Sequence, residues 1–323
     1  MTRPDLAEEV TARAARRRLE TDPLLPAAVP AAPHCDADLT VEQAGVPVAT
    51  GRCEHWAGEP GSLDLTWGAP RRYQLTASVA GHDVTEGLSR LLTRWREHLA
   101  MVPGSGDPDT AAVVNWPSRD AAGIAALLRH GLAPLEVVAA RTPPRRPAVP
   151  PSDAVLHADG WLRVRRAGPD DAEVVARLGV EVVRWDAQFG TIRQQPSTLT
   201  AMRREAAELV AGPEPWTWLA ERDGKPVGML AAQRPEAAGW IAPLTRLSPA
   251  AYLMLMFVAP QMRSSGLGTL LVDEFHRVVD AAGCAVTLLH YEQLNPLSMP
   301  FWSRQGYRPL WTTWQATPAS LLR

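Results

Sequence analysis

The sequence predicts an α/β protein built twice: two tandem domains, each a mixed, mostly antiparallel sheet with helices on both faces. Three observations predict it. The chain repeats itself, since Glu42, Gly45, Pro47, Val48, Tyr73, Val79, Ala80, Gly87, Leu88, Leu91 and Leu92 each recur 179 positions later. Further on the offset becomes 175, with Arg129, Gly131 and Pro134 matching Arg304, Gly306 and Pro309. A period this long means two copies of a domain rather than a solenoid. Between the copies, residues 141–153 are rich in proline and arginine, and prolines neither join a ladder nor continue a helix. The expected organisation is 1–140, a linker at 141–153, and 154–323.

The second copy can be read element by element. Trp161 to Arg166 alternates as a first strand, and Asp170 to Val183 has helical spacing with Asp170 or Asp171 placed to cap it. Pro196 and Ser197 open a second helix that Gly212-Pro213 closes. Trp216 to Arg222 and Val227 to Gln233 form a hairpin around Asp223-Gly224. The strand from Tyr252 to Val258, the helix from Thr269 to Val279, the strand from Val286 to Leu289, the helix opened by Ser298 and the strand from Leu310 to Gln315 complete that copy's sheet. Moving Trp161 back by the repeat offset lands before Met1, so the first copy lacks the opening strand and helix of its twin.

Composition limits the function. A net charge of −2 and the lack of a basic stripe argue against nucleic acid as a partner. No apolar run reaches the length of a membrane span, and Asp5, Glu8 and Glu9 sit where a secretory signal would be apolar. Cys35, Cys53 and Cys284 are odd in number and widely spaced, which suits reduced cysteines in the cytoplasm. His34 beside Cys35 is a weak metal cue, and no metal site is expected.

The chemistry concentrates at Arg263-Ser264-Ser265-Gly266-Leu267-Gly268, between an apolar strand and a helix. Backbone N–H groups converge at such a turn, the helix dipole adds positive potential, and a diphosphate is the expected guest. Neither common phosphate motif applies, because Leu271 replaces a third glycine and Thr269 stands where a lysine is needed. A second segment follows: Asn295-x-x-Ser298-x-x-Phe301-Trp302-x-x-x-Gly306-Tyr307. Together the two segments resemble the GNAT superfamily of acyl-CoA-dependent N-acyltransferases, in a tandem form whose first copy is degenerate.

The resemblance implies a thioester lying where the central strand parts from its parallel neighbour. Amides near Phe257 and Val258 would bond the pantetheine and polarise the acetyl carbonyl. Arg263, Ser264, Ser265, Gly266, Leu267, Gly268 and Thr269 would hold the diphosphate. Asn295 and Ser298 would contact the pantetheine arm or thiol, although Asn295 reads equally well as a helix cap ahead of Pro296. Trp302 stands at a cofactor-contacting position where the family often has a Tyr acid, and an indole cannot donate that proton. Solvent, Tyr291 or Tyr307 would have to substitute. Tyr252, His290 and Glu292 are the candidates for the base, with His290 first because the intrinsic pKa of an imidazole suits that task. Tyr73, recurring at the position of Tyr252, argues for a structural role of that tyrosine.

In the first copy the turn reads Val84-Thr85-Glu86-Gly87-Leu88-Ser89, Asn295 becomes Asp120, and Phe301-Trp302 becomes Ala126-Leu127. Carboxylates in an anion cradle repel a diphosphate. The first copy is therefore expected to be non-catalytic, covering the active copy or holding a homodimer together. The implied activity is transfer of an acetyl group from acetyl-CoA to a small-molecule or peptide amine. Glu181, Trp185, Asp186 and Phe189, with Trp240, Trp311 and Trp314, are candidates to meet the acceptor. The alternatives are a non-catalytic acyl-CoA-binding or sensing protein, an acetyltransferase similar to mycothiol synthase, which is a tandem protein of this length, and a scaffold for association.

Overall fold

The computed structural model describes residues 3–29, 35–144, 155–158 and 162–323. His34, Trp161 and most of the proline-rich linker lie outside the described residues. The first half contains α1 (Arg3–Thr21), β1 (Ala37–Gln43), β2 (Val46–Ala57), β3 (Arg71–Val79), α2 (Val84–Ala100), β4 (Thr110–Pro117), α3 (Ala121–Arg129) and β5 (Ala133–Arg141). The second half contains β6 (Val155–Ala158), β7 (Leu162–Arg166), α4 (Ala172–Asp186), α5 (Thr198–Leu209), β8 (Thr217–Arg222) and β9 (Lys225–Gln233). It ends with β10 (Ala250–Val258), α6 (Leu267–Ala281), β11 (Val286–Glu292), α7 (Ser298–Arg304) and β12 (Arg308–Ala316).

All twelve strands form one sheet in the order β1-β2-β3-β4-β12-β5-β11-β10-β9-β8-β7-β6. Only β3 with β4 and β10 with β11 run parallel. The repeat is visible in space, since β3 and β10 are offset by 179 residues and β5 and β12 by 175, as in the sequence. α1 lies over β2 and β3.

The two halves exchange their last strands. β12 does not complete the second copy's own sheet, as its sequence position suggested; it pairs with β4 and with β5, both from the first half. β5 in turn pairs with β11 of the second half. Side-chain burial follows the exchange. Trp314 and Ala316 of β12 join the first half's core with Leu88, Leu91 and Trp95, whereas Val137 and Ala139 of β5 join Leu253, Leu289 and Phe275. Both strands bury apolar side chains on both faces, Val137 and Val138 of β5 and Trp311 and Trp314 of β12 lying in different cores, so each is best stabilised in the middle of a covered sheet. The exchange supplies that middle. Arg141 at the end of β5 pins it there through a two-pronged ion pair with Asp280 of α6, each N–O distance 2.9 Å.

Candidate active site

The site begins where two parallel strands part. β10 and β11 are in register only from Ala250 and Val286 to Leu253 and Leu289. Beyond that point β10 runs on beside β9, with a bulge between Leu253 and Leu255 that leaves Met254 extra. A bulge bends a strand and re-aims its unpaired groups. The result is a cleft of about 940 Å³ that passes through the sheet.

Residue parity tells the two faces apart. α6 packs beneath Leu253, Leu289 and Tyr291. α4 and α5 pack on the other face, over Leu219, Met229, Ala231 and Leu255. Tyr252, His290 and Glu292 share this second face, and Glu136 of β5 joins them as the directly opposed partner of Glu292.

On the α6 side, the helix N-terminus is open. Its cap is Gly266, in the left-handed region at φ 89°, and no side chain caps it. That conformation strains any residue with a Cβ. The same site at α2 is closed: Asp83 accepts from the Glu86 amide at 2.9 Å, and Glu86 adds a carboxylate to the first turn. Gly268 is needed for closeness, because a Cβ there would lie 3.0 Å from Met256 and 3.3 Å from Phe301. Arg263 stacks over Trp185 of α4 at 4.2 Å, and Arg304 lines the same end of the cleft. This end suits an anion.

The other end is acidic. Glu292 is only 5% exposed, and its Oε2 has no hydrogen-bond partner. Burial, then the charges of Glu136 and Asp186, push its carboxyl up to about 8. Asp186, at the end of α4, is pushed up to about 6 by burial, while a 2.8 Å bond donated by Asn295 opposes the shift. The loop after α4 passes so near Glu292 that a Cβ on Gly190 would meet Oε2 at 1.9 Å. The Tyr252 hydroxyl bonds His290 Nδ1 at 3.0 Å, Trp240 stacks on His290, and burial pushes the Tyr252 hydroxyl well up.

Of the residues singled out from sequence, Tyr252, His290, Glu292, Phe257, Val258, Arg263, Ser264, Gly266, Gly268, Thr269, Asn295, Ser298 and Trp302 all line the cleft. Ser265 turns back to bond the Met262 carbonyl at 2.7 Å, and Leu267 is buried in the core. Asn295 uses its amide on Asp186 and its carbonyl oxygen on the Leu297 amide, at 3.0 Å, so it ties α4 to the turn before α7. Trp302 is buried edge-on against Phe301 and Tyr307. Of the aromatics suggested for the acceptor, Trp185 and Trp240 line the cleft, whereas Trp314 is core and Trp311 donates to the Leu244 carbonyl at 2.8 Å.

The match of Tyr73 with Tyr252 proves not to be a spatial one. β3 pairs with β2 without a bulge, so Tyr73 faces α2. The extra residue in β10 turns Tyr252 to the opposite face, where the partner of β3 in space is Gln74. Sequence reasoning also missed Asp64, Trp67, Arg72 and Glu136, which the first half contributes to the cleft. Their only signal was tertiary.

Residues 180–307 match the family model described as Acetyltransferase (GNAT) family. The second half of this chain therefore carries a domain of the GNAT acetyltransferase family. Among solved structures, a GCN5-related N-acetyltransferase from Sphaerobacter thermophilus is 14% identical, with 85% of this chain and 78% of that one covered at a TM-score of 0.50, which shows the fold. One from Kribbella flavida is 14% identical over 94% of each chain at a TM-score of 0.44. A tandem GNAT protein from the clavulanic acid biosynthesis pathway is 15% identical over 97% of this chain and 96% of that one, also at 0.44. No curated protein matches the chain. Among the described residues, no helix is long and apolar enough to cross a membrane.

Proposed function

We propose that this protein is an N-acetyltransferase that moves an acetyl group from acetyl-CoA to a primary amine within a ternary complex. One observation carries the reading: a single cleft joins an uncapped helix N-terminus on one face of the sheet to the buried carboxylate of Glu292 and the half-buried Asp186 on the other. A diphosphate fits the first end, a cationic amine the second, and the parted strands offer main-chain donors between them.

Glu292 is the proposed base. Its carboxyl is held near neutrality, where a base works best, and its Oε2 is unpartnered. His290 has one ring nitrogen committed to Tyr252 and is braced by Trp240, so it lines the acceptor path and positions the amine. Glu292 takes a proton from the ammonium, and the nitrogen lone pair attacks the thioester carbonyl carbon. A C–N bond forms, the C–S bond breaks, and the nitrogen loses its second proton. The thiolate takes a proton from water or from Tyr291, which lines the cleft. Tyr307 is bonded to His276 outside the cleft, and Trp302 has no acidic proton to give. Overall an ammonium and a thioester become an amide, a thiol and one released proton.

Titration calorimetry with acetyl-CoA, followed by thiol release over a panel of primary amines, tests the proposal. Binding of one acetyl-CoA per chain and amine-dependent thiol release are expected. Binding without thiol release for any amine would leave a non-catalytic acyl-CoA-binding protein, the alternative that Trp302 at the usual position of the acid keeps open. No binding at all would remove both readings.

A further inference from the structure

The exchanged strand β5 does more than complete a sheet. It places Glu136 of the first half directly opposite Glu292, on the face where the acceptor end of the cleft opens. Like charges opposed on neighbouring strands repel, and a fold keeps such a pair only with compensation. Little compensation comes from the protein. Among the described residues no ion pair reaches Glu136, Asp186 or Glu292. The nearby cation, Arg72 of β3, interacts with Glu136 through space but packs its guanidinium over Trp56 at 3.9 Å and donates to the Ala69 carbonyl at 3.2 Å. Nor do these carboxylates form a metal cage: among the described residues no group of three or more His, Cys, Asp or Glu is placed to hold a metal ion.

These carboxylates differ in their surroundings. Here one of them, Glu292, is fully enclosed with an oxygen that no donor satisfies, and it lines the cleft. A buried carboxylate oxygen without a donor is costly, and an incoming ammonium supplies that donor. Once Glu292 serves the amine that is acetylated, Glu136 remains as a second charge one strand away. Opposed residues have Cβ atoms about 5 Å apart, so two extended carboxylates can hold cations separated by a short aliphatic chain. Trp67 and Trp240, which also line the cleft, offer apolar surface for that chain.

We propose that the acceptor is an amine carrying a second positive charge, and that Glu136, contributed by the first half, is the residue that selects for it. This rests on the acetyltransferase reading above, and the two can fail separately.

The probes are 1,5-diaminopentane and hexylamine, chains of similar length with two charges and one, tested on the full-length protein loaded with CoA or acetyl-CoA. Calorimetry reads amine binding, and thiol release reads turnover. The diamine is expected to bind at least about tenfold more tightly, the worth of one charge-assisted hydrogen bond. Glu136→Gln should remove most of that preference while leaving hexylamine binding within about twofold. Glu136→Asp should restore it, which a merely structural role would not do. The proposal is overturned if both amines bind alike, if neither binds, or if Glu136→Gln weakens both equally. Should the diamine bind with this preference while no thiol is released, the acceptor inference stands and the catalytic reading falls.

Discussion

The two halves are built from one plan and differ at the point where a cofactor would pass. In the second half a bulge in β10 and a short parallel register open a cleft of about 940 Å³. In the first half β3 runs unbulged, and the corresponding space is about 20 Å³. The plug is Trp116, which stands 175 residues before Tyr291, as Gly123 does before Ser298. A Cβ on Gly123 would lie 2.0 Å from the Trp116 indole, so the glycine exists to admit the ring. The tether between helix and turn is kept with its chemistry changed: Asn295 bonds Asp186 of α4, whereas Asp120 pairs with Arg17 of α1. A fold can thus lose a ligand site by filling it with its own side chains and still hold its packing. The emptied role is replaced by another, because the first half lends β5 and Glu136 to its twin.

The largest expected effect tests the plug. Trp116→Ala should cost about 3–5 kcal/mol of stability through the cavity it leaves. Chemical denaturation reads that loss, and calorimetry should still find a single acetyl-CoA site per chain. A second site appearing in this variant would mean that the indole alone separates the halves. Next comes the open helix end. Gly266→Glu places a carboxylate in the proposed anion cradle and strains a φ of 89°. Acetyl-CoA affinity should fall about a hundredfold or more, close to 3 kcal/mol, with circular dichroism unchanged. Retained affinity would show that the diphosphate binds elsewhere.

The smallest effect concerns Glu292. The folded chain keeps its proton up to about pH 8, while the unfolded chain releases it near the ordinary value of 4.5. The folded state therefore binds more protons between these values, and its stability falls as pH rises through them. Glu292→Gln should relieve this, raising stability by roughly 2 kcal/mol at about pH 9 with little change near pH 5. Urea midpoints at the two pH values check the sign. Equal midpoint shifts at both would mean that Glu292 ionises normally in the fold.

Much of the second half was legible in the chain. Alternation marked β7, the Asp223-Gly224 turn marked the hairpin of β8 and β9, helical spacing marked α4 and α6, and Gly266 marked the N-terminus of α6, because each depends on residues adjacent in sequence. Legibility stopped at long range. The opposed pair of Glu136 and Glu292 joins positions from different copies, and no local pattern announces it. The Tyr73 match misled for a related reason: one inserted residue inverts every side chain ahead of it, which identity at a fixed offset conceals.

By itself the sequence determined that there are two copies, which of them keeps an uncapped glycine turn at its helix N-terminus, and which residue types crowd the cleft. Those are matters of local backbone freedom, periodicity and charge. Only the tertiary structure decided that the halves trade their last strands, that an indole fills one cleft, and that a carboxylate from the first half faces the second half's site. Strand pairing and burial are set by contacts between distant segments, and the free energy of those contacts depends on the assembled sheet rather than on any stretch of chain within it.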